Sequence, residues 1–289
     1  MKKKFIRALP WLVAFAAALL LAAIVSAIVC YYGLSTKTYA VAMEGIEHET
    51  KIVLINDLHA REFGQRNCRL VEAIAAQRPD AIFMVGDMVN YPTNDEEIQI
   101  VDRLVEDLLD VAPVYYSLGN TELQTWLDGG LDFVSHMRSL GAASMLDDYV
   151  EAEIGGNRIR IGFSMGHYNY TKEQWANPPD YAMEAAVGAD GTPAIVLLHM
   201  PESFIKDIHD WWTGDLYLCG HTHGGLWQIP GIGGVYAPTL RWFPKYDRGQ
   251  FSFDDGKFDM IINAGLAGHG RVPRLFNMPE ISVITLTGK

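Results

Sequence analysis

Seven side chains of metal-binding type follow short apolar runs or lie between glycines in this sequence. They are Asp57, His59, Asp87, Asn120, His199, His221 and His223. Asp57 and His59 are two residues apart, as are His221 and His223, and in an extended backbone this spacing directs both side chains to the same side. Carboxylate, carboxamide and imidazole groups are common ligands of divalent metal ions. The pattern therefore predicts a metal centre.

Each of these residues also has an ordinary structural explanation. An aspartate after a strand often caps a turn or a helix, and a single histidine is commonly a hydrogen-bonded structural residue. Seven such groups in one place, however, would concentrate buried polar and charged side chains, which is unfavourable unless a cation compensates them. The set as a whole favours metal binding over seven separate structural roles.

The first half of the chain beyond residue 51 alternates apolar runs with helical patterns. The runs are short, as in strands buried on both faces, and cover residues 52–55, 81–85 and 114–118. A helical pattern lies between each pair, and Asn94 with Glu97 forms a capping-box start for the second helix. This βαβ order predicts a parallel sheet, and ligands gather at the carboxyl edge of such sheets.

The second half of the chain carries hairpin signals. Gly155-Gly156-Asn157 and Asp254-Asp255-Gly256 are tight-turn sequences flanked by strand-like residues. Further strands are predicted at residues 194–198, 215–218, 258–263 and 281–286. A parallel half followed by a hairpin-rich half predicts an α/β fold in which two packed sheets are flanked by helices. We expect this two-sheet sandwich to form one domain over residues 51–289.

The N-terminal segment has the properties of a membrane anchor. Residues 10–32 contain no charged side chain, and as a helix they would extend about 35 Å, enough to cross a hydrocarbon core of about 30 Å. We expect residues 1–32 to comprise a basic tip and a transmembrane helix, and residues 33–50 to be a tether. A cleaved signal peptide ending near Val25-Ser26-Ala27 is the competing interpretation, although the apolar run exceeds the usual length of such peptides.

The distribution of charge predicts both the orientation of the chain and the partners it excludes. Of the 23 Lys and Arg residues, four (Lys2, Lys3, Lys4 and Arg7) precede the apolar run, which leaves 19 against 35 Asp and Glu beyond it. The basic start should stay in the cytoplasm by the positive-inside rule, so the chain is predicted to be a single-pass protein of the cell membrane with an extracytoplasmic domain. The acidic remainder repels nucleic acid, which excludes a non-specific DNA or RNA binder.

Taken together, these motifs resemble a known family. The combination of Asp57-Leu58-His59, Gly86-Asp87, Gly119-Asn120, His199 and Gly220-His221-Thr222-His223 is similar to the calcineurin-like metallophosphoesterase superfamily. The apolar anchor, the glycines after His223 and the ending Pro279-Glu280-Ile281 resemble its membrane-associated bacterial branch, which includes UDP-diacylglucosamine pyrophosphatases. The fold of the superfamily, two sheets between layers of helices, agrees with the pattern described above.

The resemblance implies a dinuclear metal site. Asp57, His59, Asp87 and His223 would hold one ion, and Asp87, Asn120, His199 and His221 would hold the other, with Asp87 bridging. Mixed imidazole and oxygen ligands without thiolate suit manganese, iron or zinc. The two ions would orient a shared hydroxide towards phosphorus, and Asn120 would also position the phosphoryl group.

The sequence departs from the family at Thr121, where a histidine that is thought to protonate the leaving group is usual. Three explanations remain open. In the first, the leaving group needs no proton, as in a diphosphate or an activated diester. In the second, His269 or His167 replaces the missing acid. In the third, the chain is a catalytically weak scaffold that holds metal and binds a phosphorylated ligand or partner.

Substrate contacts are predicted near the C-terminus. Arg271, Arg274 and His269 lie near the C-terminal active-site loop of the family and are candidates for contacts with phosphate oxygens, although Arg271 and Arg274 could equally be surface residues. Aromatic residues crowd around the GHTH motif: Trp211, Trp212, Trp227, Trp242, Phe243 and Tyr246. Core packing explains any one of them, whereas the group together with the anchor would suit a lipid-linked substrate. The expected substrate is a lipid-linked diphosphate, or otherwise a small phosphodiester.

Overall fold

The computed structural model describes residues 2–165, 182–205, 212–270 and 272–289. The helices are α1 (Lys2–Tyr32), α2 (Cys68–Ala75), α3 (Asp95–Leu109), α4 (Asn120–Leu127), α5 (Phe133–Leu140), α6 (Ala182–Ala186) and α7 (Glu202–Ile205). The first strands are β1 (Ser35–Met43), β2 (Thr50–Ile55), β3 (Ala81–Val85), β4 (Val114–Ser117), β5 (Asp148–Ile154), β6 (Asn157–Ser164), β7 (Ala194–Leu198) and β8 (Leu216–Cys219). They are followed by β9 (Gln228–Ile229), β10 (Gly233–Gly234), β11 (Tyr236–Ala237), β12 (Arg241–Trp242), β13 (Gly249–Phe253), β14 (Phe258–Ile262) and β15 (Glu280–Gly288).

The main strands form two sheets. The first has the order β1-β15-β2-β3-β4, and β2, β3 and β4 run parallel as the βαβ pattern predicts. The second has the order β13-β14-β8-β7-β6-β5, with a parallel centre and an antiparallel strand at each edge. The hairpins β5–β6 and β13–β14 contain the two predicted turns.

Apolar side chains hold the layers together. Residues such as Leu54 and Phe83 of the first sheet meet Ile161 and Leu197 of the second in a fully buried cluster. The other face of the first sheet packs on helices α2, α3 and α5, and the other face of the second packs on α6. The predicted α/β sandwich of two sheets flanked by helices is therefore confirmed.

Residues 35–43 are not a tether. They form β1, which pairs in parallel with β15 over nine residues at the edge of the first sheet. Val41 and Met43 are buried because they cover the space between the sheets. The alternation of apolar and polar residues in this strand is short, and its partner is more than 200 residues away, so the local pattern does not reveal the pairing.

Helix α1 is long and apolar enough over Pro10–Tyr32 to cross a bilayer, a property that a signal sequence shares. Its final turns contact the folded domain. Arg61 donates a hydrogen bond to the carbonyl of Tyr31, and Nη2 of Arg69 lies 2.9 Å from the carbonyl oxygen of Tyr32. Only two residues separate α1 from β1. Hydrogen bonds and the short connection to β1 therefore hold the end of α1 against the folded domain.

Candidate metal centre

The two sheets bring the seven predicted ligands to one edge. Asp57 and His59 follow β2, Asp87 follows β3, and Asn120 begins α4 just after β4. The three remaining histidines come from the second sheet, where His199 follows β7 and His221 and His223 follow β8. The set meets because the carboxyl ends of parallel strands in both sheets face the same cleft.

Two clusters of ligand atoms form at this edge. Asp57, His59 and His223 make one, and Asp87, His199 and His221 make the other, with the ligand atoms of each within 4.8 Å of one another. Oδ2 of Asp87 lies 3.3 Å from Nε2 of His199 and 3.9 Å from Nε2 of His59, so this carboxylate reaches both clusters. Asp87 is therefore placed to bridge two ions.

The chemistry of the donor atoms fits bound cations. Oδ1 of Asp57, Nε2 of His59 and Nε2 of His199 are buried and have no hydrogen-bond partner within the described part of the chain. Buried polar atoms without partners are unfavourable by about 1–3 kcal/mol each. Cations bound at the two clusters would satisfy all three.

Asn120 supplies a further sign of a cation. One atom of its carboxamide lies 2.9 Å from Nδ1 of His221 and 3.3 Å from Oδ2 of Asp87. Hydrogen bonding alone would place the amide nitrogen there, whereas a metal ion shared with Nδ1 and the carboxylate requires the oxygen. We place the carboxamide oxygen at this position, because the Asn120 carboxamide, Nδ1 of His221 and the Asp87 carboxylate converge with Nε2 of His199, which has no partner among the described residues.

Backbone carbonyls fix the orientation of two imidazoles. Nδ1 of His199 lies 2.7 Å from the carbonyl oxygen of Val85, and Nδ1 of His223 lies 3.2 Å from that of Ala267. When Nδ1 donates its proton to a carbonyl, Nε2 is left with a free lone pair. Both rings are thereby oriented to bind metal through Nε2.

Burial and the facing charges shift the pKa values of the ligands. Burial raises the pKa of Asp57 to about 6. Burial also opposes ionisation of Asp87, but the facing imidazoles, led by His199, hold its pKa well below the usual range. Burial lowers the pKa of His223 well below its usual value, which keeps this imidazole neutral and able to donate a lone pair. The site thus combines an ionised Asp87 carboxylate with at least one neutral histidine.

Five of the seven residues have left-handed backbone conformations. The φ angles are 51° for Asp57, 47° for His59, 53° for Asp87, 66° for His221 and 50° for His223. Such conformations disfavour residues other than glycine by about 1–2 kcal/mol each. Hydrogen bonds between neighbouring loops hold them, since the N–H of Asp57 donates to Gly86 and that of His59 to Asp87.

Glu122 is a supporting residue that the sequence analysis missed. Its carboxylate is fully buried and accepts hydrogen bonds from the N–H groups of Asp87 (2.9 Å), Met88 (2.7 Å) and Gly119 (2.9 Å). The Tyr116 hydroxyl lies 3.2 Å from it. Glu122 therefore ties the Asp87 loop to the start of α4. Its position three residues after Gly119, at the first turn of a helix, was the available signal.

Thr121 supports the bridging carboxylate. Its backbone nitrogen and its hydroxyl lie 3.0 Å and 3.1 Å from Oδ1 of Asp87, and the hydroxyl is also 2.9 Å from the carbonyl oxygen of Val89. The side chain is buried. Thr121 thus helps to orient Asp87.

The predicted substrate contacts differ in their surroundings. His269 lies beside the centre, with its ring 5.5 Å from that of His223, and burial lowers its pKa. Arg274 is not a surface residue: it is buried, and its guanidinium donates to the carbonyls of Ala264, Ala267 and Asn277. This network holds the C-terminal loop. Arg271, His167 and Trp211 lie outside the described residues.

The aromatic residues near the GHTH motif divide into two groups. Trp212 is completely buried in the core, and Tyr246 packs on Phe251. Trp227, Trp242 and Phe243 are 43%, 68% and 59% exposed. Core packing therefore explains part of the set and leaves three exposed aromatics unexplained.

Comparison with known proteins places this geometry in a family context. The family described as calcineurin-like phosphoesterase matches residues 50–225. A metallophosphoesterase of Campylobacter jejuni is 26% identical over 88% of this chain and 63% of its own length, so this chain spans less than two thirds of that relative. The phosphodiesterase YaeI of Escherichia coli is 28% identical over 65% of this chain and 66% of its own. The UDP-2,3-diacylglucosamine pyrophosphatase LpxG of Chlamydia muridarum is 33% identical over 32% of this chain and 28% of its own.

The matched region contains all seven clustered residues and ends at the glycines that follow His223. The resemblance drawn from the motifs is thereby confirmed. The chain belongs to the calcineurin-like phosphoesterase family.

Proposed function

We propose that this protein is a dinuclear metallophosphohydrolase that cleaves a phosphodiester or a diphosphate. The proposal rests on the two ligand clusters, because the carboxylate of Asp87 lies close to histidines of both. Asp57, His59, Asp87 and His223 would hold one ion, and Asp87, Asn120, His199 and His221 the other. Manganese, iron or zinc suits this mixture of nitrogen and oxygen ligands.

Bound metal ions would supply an activated hydroxide and neutralise charge on the phosphoryl oxygens. The residues of the chain hold the reacting groups in place. Asn120 begins α4 at the edge of the cleft, where its carboxamide can orient the phosphoryl group. Thr121 and Glu122 keep the Asp87 and Asn120 loops in register through their hydrogen bonds.

The identity of the substrate follows from the leaving group. Thr121 cannot donate a proton near neutral pH, and its hydroxyl is already within hydrogen-bond distance of Asp87 and Val89. A diphosphate suits such a site, since phosphate departs without needing a strong acid; His269 is the residue placed near enough to assist a poorer leaving group. Our first choice is a lipid-linked diphosphate, which the similarity to LpxG supports. A small phosphodiester is the second choice, supported by the similarity to YaeI.

We further propose that α1 anchors the protein in the cell membrane as a single span. The basic start of the chain would face the cytoplasm and the catalytic domain the other side. Protease digestion of intact cells tests this orientation, since an extracytoplasmic domain would be cut without lysis.

The activity is tested with the full-length chain in detergent. Hydrolysis of an aryl phosphodiester and of UDP-2,3-diacylglucosamine is measured with manganese, with chelator, and in Asp87→Asn. The exposed Asp110→Asn is the matched control. We expect metal-dependent turnover that Asp87→Asn abolishes and that the control retains. If the folded protein binds two metal equivalents and hydrolyses neither compound, the alternative of a catalytically weak scaffold replaces the hydrolase.

A further inference from the structure

A cavity of about 390 Å³ lies between the metal centre and the end of α1. His59 of the metal centre lines the cavity together with Arg61 and Asn90. Ala27, Cys30 and Tyr31 of α1 also line it, and residues of the C-terminal loop complete the lining. A helix apolar enough to cross a bilayer therefore contributes directly to the space in front of a metal ligand.

The helical wall is fixed by polar contacts. Besides the bonds from Arg61 and Arg69 to the last carbonyls of α1, the N–H of Phe276 donates to Oγ of Ser26 at 2.6 Å. Cys30 is buried against the domain. These contacts hold the last turns of α1 against the domain, so the wall belongs to the folded structure.

The position of the lining residues along α1 places the cavity at the depth of the lipid chains. Ala27 lies five residues before the end of α1, which is about 7.5 Å along the helix axis. Val272, which lines the cavity, and Phe276, beside Ser26, are 39% and 51% exposed. If α1 spans a bilayer, the cavity joins the metal centre to the outer layer of the hydrocarbon.

We propose that this cavity is a subsite for an alkyl chain attached to the phosphate that is hydrolysed. The phosphate lies towards His59, where Arg61 and Arg274 add positive charge to the wall, and the chain runs along Ala27 into the bilayer. This deepens the proposed function and rests on it, because it assigns an amphipathic lipid, with its alkyl chain attached to the phosphate that is hydrolysed, as the substrate class of the same site.

The test uses two substrates that differ only in the alkyl group. The full-length chain in lipid nanodiscs is given hexadecyl 4-nitrophenyl phosphate or methyl 4-nitrophenyl phosphate, whose nitrophenolate departs without a proton. Ala27→Trp fills the cavity from the helix, and Ala22→Trp, at an exposed position one and a half turns away, is the control. We expect Ala27→Trp to lower kcat/KM for the hexadecyl ester by about tenfold or more, with the methyl ester unchanged.

The outcomes separate this proposal from the proposed function. Equal effects of Ala27→Trp on both esters, or no effect on either, would overturn the subsite while leaving the hydrolase intact. Failure of the wild type on both esters would overturn the phosphodiester activity, and the hydrolase would be overturned if UDP-2,3-diacylglucosamine were not cleaved either. The subsite is then decided by labelling with a diazirine in the chain of hexadecyl phosphate: labelling of α1 near Ala27, lost in Ala27→Trp, supports it, and its absence refutes it.

A second inference rests on a different observation, a buried carboxylate without a hydrogen bond. Glu202 in α7 is 4% exposed, and neither carboxylate oxygen has a hydrogen-bond partner among the described residues. Its Oε1 lies 3.7 Å from Nε2 of His221, which also has no partner there. A buried carboxylate in this state is unfavourable unless it has a specific role.

The geometry of His221 indicates that role. Its Nδ1 lies 2.9 Å from the carboxamide atom of Asn120 that is also 3.3 Å from Oδ2 of Asp87, so the ring would bind metal through Nδ1. The Nε2 atom must then carry the proton, and it points to Glu202. We infer that Glu202 is a positioning residue that accepts this proton in a hydrogen bond and fixes the tautomer of His221.

Metal binding tests this inference independently of activity. Metal content and affinity are measured by equilibrium dialysis with Co²⁺, together with the Co²⁺ absorption spectrum, for Glu202→Ala and Glu202→Gln. Glu280→Gln is the matched control, since that buried carboxylate bonds Tyr39 and Ser282 away from the ligands. We expect Glu202→Ala to lower the affinity for one of the two ions by about 10- to 100-fold. Glu202→Gln, which keeps an acceptor, should restore most of the affinity.

The melting temperature of the metal-free protein distinguishes a positioning role from a structural one. The Glu202 carboxylate has no hydrogen bond to lose among the described residues, so Glu202→Ala should melt no lower than the wild type, whereas a structural carboxylate would destabilise the fold when removed. The inference would be overturned if Glu202→Ala bound both ions with wild-type affinity. It would also be overturned if Glu280→Gln lost as much metal affinity as Glu202→Ala.

Discussion

Replacing Glu122 by glutamine should destabilise the protein more than any other single-atom change near the metal centre. The two carboxylate oxygens of Glu122 accept four backbone N–H groups: Oε2 accepts those of Asp87 and Gly119, and Oε1 those of Met88 and Val89. Glutamine keeps only one oxygen. Its NH₂ group must therefore face two backbone donors that lose their acceptor.

The magnitude follows from the number of donors left unpaired. A buried donor without a partner is unfavourable by about 1–3 kcal/mol, so two of them predict a loss of roughly 2–6 kcal/mol in the free energy of unfolding. For a domain of this size, about 2–4 °C of melting temperature corresponds to each kcal/mol. Glu122→Gln should therefore lower the melting temperature by roughly 5–20 °C.

Differential scanning fluorimetry of the full-length chain in detergent measures this shift, with chelator present so that metal binding does not contribute. Glu153→Gln, at an exposed position of β5, is the control and should stay within about 0.5 kcal/mol of the wild type. A melting temperature for Glu122→Gln indistinguishable from that of the control would refute the reasoning, because the loops would then not depend on this carboxylate.

Three further predictions follow from the site. Chelation should lower the melting temperature of the metal-loaded wild type, since an ion at 100 times its dissociation constant stabilises by about 2.7 kcal/mol, and Asp87→Asn should shrink that difference when the two proteins are melted in parallel. Gly86→Ala should lower the free energy of unfolding, measured in urea, by roughly 2–5 kcal/mol, because Gly86 has φ +72° and a Cβ atom there would lie 2.5 Å from the backbone of Gly119. A loss of less than about 1 kcal/mol would mean that the two loops separate easily. Thr121→Val keeps the shape of the side chain and removes its hydroxyl, so it should weaken metal binding at the bridging position while retaining a folded protein by circular dichroism; unchanged metal affinity would contradict the orienting role.

The sequence was sufficient to predict the elements that carry the ligands. Short apolar runs before Asp57, Asp87 and His199 have the signature of strands buried on both faces, and the burial of β3 and β7 explains why. Because parallel strands end at a common edge, the meeting of residues more than 150 positions apart follows from the order of elements.

Other features depend on long-range contacts that leave little trace in local patterns. β1 is recognised only through its pairing with β15, and its exposed residues gave it the composition of a linker. The hydrogen bonds of Arg274 could not be predicted, because its three partners are backbone carbonyls, about which the residue type carries no signal. Glu202 was missed because its proximity to His221 depends on the packing of two separate segments of the chain.

The left-handed backbone at five of the metal-binding positions has a consequence for protein engineering. At Asp57 or Asp87, glycine would adopt the observed φ angle without steric strain, so selection for the thermal stability of the metal-free protein would favour replacing the residues that we propose as ligands. A library screened for heat resistance with chelator present should lose its ligands at these positions first. Stabilisation of this protein therefore has to be selected together with metal binding, or confined to positions outside the strand ends.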